Sequence, residues 1–168
     1  MSEWMKGLIS GVIATVIGFL LQMIWDTVKY NREVGQQDEA VMTAVKEELL
    51  ANISILKTNM ASLQQELDVI EKQQEVVNPL NLLQGGFWDL VKIRLPRKIS
   101  KDANLLTKIR EVAQSTNNVN ETIRSRENYR LHNGAMTNFH SRMKVYDRIL
   151  LQSGAPLLNA LEELNRQF

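Results

Sequence analysis

A chain of 168 residues with a formal charge of +1 and no cysteine is long enough for one compact domain. It excludes disulfides, thiolate metal sites and a cysteine nucleophile. Any attraction to nucleic acid or anionic lipid must come from local patches, because the overall charge is close to zero.

The first element is an uncharged run, Gly7 to Trp25, between Lys6 and Asp26. At the rise of an α-helix, Trp4 and Trp25 fall about 30 Å apart, so residues 1–30 are expected to be an N-terminal transmembrane helix and its flanks. The run exceeds a usual signal core and has no small-x-small cleavage pattern, which argues against a secretory signal. On a helical wheel Gly7, Gly11, Ala14 and Gly18 line one narrow face that continues into Gln22, opposite Ile9, Val12, Leu20 and Met23. Such a face permits close packing against another helix in lipid, or lines a pore in a ring of copies, and the two roles stay open. Lys29 and Arg32 after the run favour a cytoplasmic body behind a single pass of the inner membrane.

Residues 31–37 are polar and contain Gly35, which suggests a juxtamembrane hinge, and residues 38–168 form the expected cytoplasmic bundle. From Asp38, an expected N-cap, a helix runs to about Gln74 with Val45, Leu49, Ile53, Leu56, Met60, Leu63, Leu67 and Ile70 at steps of four and three. Pro79 and Gly85-Gly86 mark a loop with room for a short helical turn. Phe87 to Leu95 is a short helix stopped by Pro96, with Phe87, Trp88 and Leu90 expected in the core. A longer helix follows from about Ser100 to His132, with Leu105, Ile109, Val112, Thr116, Val119 and Ile123 facing inward and Arg126 continuing the stripe. Gly134 is expected to close it in the left-handed conformation. Another helix ends near Ser153-Gly154-Ala155-Pro156, and a last one carries Leu157, Leu161, Leu164 and Phe168. No strand pattern competes, so the fold class is all-α: one transmembrane helix followed by a bundle of four or five helices.

Little here supports catalysis. The carboxylates are scattered, there is no glycine-rich phosphate loop, and two histidines do not make a metal site, so neither metal nor cofactor is expected. One arrangement carries chemistry: Arg126 leaves an apolar stripe and His132 follows six residues later at a helix boundary. The arginine would stabilise charge on a phosphate and the histidine would move a proton at the 2′-hydroxyl or leaving group of RNA. The structural alternative pairs Arg126 with an acid such as Glu48 or Glu162 and makes His132 a helix C-terminal cation. Lys92, Arg94, Arg97, Lys98 and Lys101 form a basic run without an intervening acid, fit for RNA phosphates, anionic lipid or plain solvation.

The Arg126 to His132 segment, at the turn between two core helices, resembles the arginine-to-histidine motif of HEPN domains, which are dimerising helical bundles and often metal-independent ribonucleases. A HEPN-like bundle behind one membrane helix is similar to the small membrane accessory proteins of type VI-B CRISPR systems. That resemblance implies a high-order homo-oligomer in contact with membrane lipid, forming a pore in antiviral defence alongside an RNA-guided RNA nuclease. Glu127 departs from the motif, where a polar residue such as Asn or His often follows the arginine, and its charge opposes phosphate binding. Three functions therefore stand as expectations: a pore-forming or membrane-perturbing oligomer, a membrane-tethered HEPN ribonuclease acting on RNA through Arg126 and His132, and a membrane-anchored interaction protein.

Overall fold

A computed structural model describes the backbone of residues 3–71, 77–134 and 136–168, and their side chains except those of 3–14, 16, 70 and 71. The elements are helices α1 (Glu3–Glu71), α2 (Phe87–Ile93), α3 (Arg97–Ser100), α4 (Ala103–Asn133) and α5 (Phe139–Asn165). No strand occurs among the described residues. The chain divides into two units, Met1–Ala40 and Val41–Phe168.

The first unit is the N-terminal part of α1. Among the described residues no helix is long and apolar enough to cross a membrane, which overturns the expected transmembrane helix. Gly7, Gly11 and Ala14 lie outside the described side chains. Ile17, Phe19, Leu20, Leu21, Met23, Ile24, Trp25 and Val28 are all exposed, Trp25 at 70%. Residues 31–37 are helical, and Asp38 lies inside α1 rather than capping it.

In the second unit the apolar stripes meet as their spacing requires. Val45, Leu49, Leu56 and Leu63 of α1 are buried, with Ile53 and Met60 packed beside them. Leu67 is half-buried, and the side chain of Ile70 is outside the described residues. From α4 come Leu105, Ile109, Val112, Val119 and Ile123, and from α5 Leu150, Leu157, Leu161 and Leu164. Each such side chain contributes about 1.5–3 kcal/mol on burial. Asp102 starts α4 by accepting the Leu105 amide at 3.0 Å, a cap worth about 1 kcal/mol.

Four local expectations are corrected. Residues 77–86 contain no helical turn; they run without regular structure. In α2 the core residues are Phe87 and Val91, while Leu90 is exposed and Trp88 only half-buried. Gly134 has φ −56° and ψ −26°, so the helix end is right-handed. The two C-terminal helices are one, with Pro156 inside α5.

Proline there removes the donor for the Gln152 carbonyl, at a cost of about 3 kcal/mol. The cost is outweighed because Phe139, Met143, Asp147, Leu150, Gly154, Leu157, Leu161 and Leu164 form one buried stripe at steps of four and three, which a break would split. Gly154 sits where α5 meets α1: a Cβ there would lie 3.5 Å from both Leu56 Cδ1 and Met60 Sδ.

Candidate functional site

The second unit has a polar centre among its apolar stripes. On α1, Asn52, Asn59 and Glu66 recur every seven residues and are all buried. This places them on one face of the helix, one above another. On α4, Asn120 and Arg126 are buried, and on α5 Asp147 is buried. Between α1 and α4 lies a strap without regular structure, residues 77–86, whose backbone has no secondary-structure partner of its own. Buried backbone amides and carbonyls must be bonded, and the polar side chains do that.

Three asparagines each hold one strap residue by both of its backbone groups. Asn59 donates to the Asn81 carbonyl at 2.7 Å and accepts its amide at 3.1 Å. Asn120 does the same for Leu83, both bonds at 2.8 Å. Asn52 does so for Gln84, at 2.8 and 2.6 Å. A carboxamide is the side chain that offers one donor and one acceptor at the spacing of a peptide unit. Beyond the asparagines, the Phe87 amide donates to Glu48 Oε1 at 2.9 Å. Leu80, Leu83 and Phe87 are buried, so the strap is anchored by its apolar side chains as well as by its backbone.

The other end of the strap is held by charge. The Asn78 amide donates to Glu66 Oε2 at 3.0 Å, the Leu80 amide to Glu127 Oε1 at 3.4 Å, and the Asn78 carbonyl accepts from Arg126 Nη1 at 3.1 Å. Arg126, with 0% exposure, spends every nitrogen in this cluster. Its Nε donates to Asp147 Oδ1 at 2.8 Å, Nη2 to Glu66 Oε2 at 2.7 Å, and Nη1 also to Glu127. Glu127 in turn accepts from Arg130 Nε at 2.7 Å. Burial raises the Glu66 carboxyl to about 7, against the opposing pull of Arg126. Burial also raises Asp147, again opposed by Arg126. For Arg126 burial works against the charge, but the bond and charge of Asp147, with Glu66 and Glu127, outweigh it and hold the guanidinium above its ordinary value.

This arrangement bears directly on the Arg126 and His132 pair. Six residues on one helix place the two about 120° apart around its axis, and the structure does not bring them together. His132 is exposed, its Nδ1 2.8 Å from the Asn128 carbonyl. Arg126 is paired, although not with the acids expected from sequence: Glu48 holds the Phe87 amide, and Glu162 binds Lys57 at 2.7 Å on the surface. No family model, no curated protein and no solved structure matches the chain.

The residues of the basic run sit on α2, α3 and the caps that follow them. Lys92 pairs with Asp89 at 2.6 Å and lies over the Trp88 ring at 5.9 Å. Lys98 donates to the Gln167 carbonyl at 2.8 Å. Arg94 is the half-buried cap of α2, Arg97 opens α3, and Lys101 is exposed. Of the proposed small-residue face, Gly18 has open space around it, with nothing within 4 Å of where a Cβ would stand, and Gln22 is exposed. The described residues contain no group of acids and histidines able to hold a metal ion.

Sequence reading missed Asn52, Asn59, Glu66, Asn120 and Asp147. The signal available was the seven-residue recurrence of polar side chains beside the apolar seam of α1.

Proposed function

We propose that this protein is a non-catalytic, self-assembling helical interaction protein of antiviral defence, held together as an oligomer through the apolar part of α1. The observation that carries this reading is the exposure of Ile17, Phe19, Leu20, Leu21, Met23, Ile24, Trp25 and Val28. At 100° per residue they cover about 240° of the helix circumference. One flat partner surface covers less than that, whereas several copies of the same helix cover it together. Contiguous apolar surface of this kind marks an interaction site. The antiviral setting is kept from the family resemblance. The nuclease is dropped, because a buried arginine bonded to three carboxylates has nothing to offer a phosphate.

The mass of the purified particle, measured in buffer and in mild detergent, tests the reading. Several copies are expected in both. A variant combining Leu20→Glu, Leu21→Glu and Ile24→Glu should run as a single chain with unchanged helical circular dichroism. A wild-type protein that runs as one chain, or a triple variant that assembles normally, sinks the proposal. Binding to lipid vesicles without self-association would assign the apolar surface to lipid instead. Incubation with single-stranded RNA should leave the RNA intact.

A further inference from the structure

The charged end of the strap has two atoms without a bond. Glu66 Oε1 and Asp147 Oδ2 are buried and have no hydrogen-bond partner, although the other oxygen of each carboxyl is bonded to Arg126. Their sister oxygens are held by the same guanidinium, Glu66 Oε2 by Arg126 Nη2 at 2.7 Å and Asp147 Oδ1 by Nε at 2.8 Å, which brings the two carboxyls side by side. Two ionised oxygens cannot bond each other, but one proton between them satisfies both. Charge leads to the same place. Facing the site are Glu66 from α1, Arg126, Glu127 and Arg130 from α4, and Asp147 from α5, while the strap contributes only the backbone of Asn78 and Leu80. That is three carboxylates against two guanidiniums. Fully ionised, the site carries one uncompensated buried negative charge, which is costly; a single proton cancels it.

We infer that Glu66 and Asp147 hold one proton between them, Glu66 Oε1–H donating to Asp147 Oδ2, and that losing this proton loosens the Asn78–Leu80 end of the strap. Glu66 Oε2 is the acceptor for both the Asn78 amide and Arg126 Nη2. Repulsion between Glu66 and Asp147 therefore acts on the same carboxyl that fixes the strap. Water is the available relief for the excess charge, and the strap is the wall of the site that is not a helix. Because burial lifts both carboxyls, Glu66 to about 7, the proton leaves in the neutral range. The device turns a small rise in pH into an opening between α1 and α4, independent of how the chain assembles.

Nuclear magnetic resonance of the full chain, with side-chain carboxyls labelled, tests this together with amide hydrogen exchange corrected for intrinsic rates. One Glu carboxyl should titrate near neutral pH and vanish from that range in Glu66→Gln. In the wild type the protection of the Asn78 and Leu80 amides should fall about tenfold from pH ~5.5 to pH ~8.5, while that of Leu83 and Gln84 stays constant. In Glu66→Gln, which keeps a donor for Asp147, Asn78 should show no such fall. Should that variant not fold, Asp147→Asn serves the same purpose. A Glu66 carboxyl that titrates in the ordinary acidic range, or Asn78 protection that ignores pH, overturns the inference.

Discussion

The two ends of the strap are fastened by different chemistry to the same pair of helices. From Asn81 to Gln84 the fasteners are neutral carboxamides, each satisfying a donor and an acceptor at once. At Asn78 and Leu80 they are a guanidinium and two carboxylates that also bind each other. The neutral end behaves alike at every pH. The charged end is secure only while its charges balance, so one loop has a constant half and a conditional half.

The strongest break in that comparison is the removal of Arg126. Arg126→Ala leaves Glu66, Asp147 and Glu127 without their common partner, and a broken buried pair costs about 3–5 kcal/mol. Urea denaturation should show a loss of stability of that size.

The pH dependence of unfolding comes next. Glu66 titrates at about 7 in the folded chain against an ordinary 4.5, so its contribution is complete below 4.5 and is lost as pH rises through about 7. Asp147 acts in the same direction. Stability should therefore fall from mildly acidic to mildly alkaline conditions by about 3 kcal/mol, and Glu66→Gln should flatten the curve.

A smaller loss is expected from Asn120→Ala, which orphans the Leu83 amide and carbonyl together. Leaving buried groups unpaired costs about 2 kcal/mol here, and the loss should be the same at pH ~6 and pH ~8 because no ionisable group is touched. A pH-dependent cost would dissolve the distinction between the two halves. Least of all should follow from Lys57→Ala, since the Lys57 and Glu162 pair is on the surface. The melting temperature should not move measurably.

Much of the bundle was legible in the sequence, and the reasons are particular. Leu105 to Ile123 on α4 and Val45 to Leu63 on α1 keep helical period, and periodicity survives folding because each helix buries one face. Arg126 was visible as a charged residue continuing an apolar stripe. Its partners were not, because Glu66 and Asp147 are 60 and 21 residues away in the chain. The asparagines were harder still, since what they bind is backbone, and every residue has that. Pro156 misled for the opposite reason: a strong local breaker was overruled by a stripe that continues across it. At the N-terminus, an uncharged run with tryptophans at both ends imitated a span that the described helices do not contain.

The strap also has a consequence for how this chain can vary in length. A surface loop ordinarily absorbs insertions and deletions. Here Asn81, Leu83 and Gln84 are each matched to a fixed position on α1 or α4, so one residue gained or lost between Asn81 and Gln84 puts the asparagines against the wrong peptide units. Side chains facing outward, such as that of Leu82 at 44% exposure, are free to change. Among descendants of this sequence, the connection should therefore keep its length while its outward letters drift.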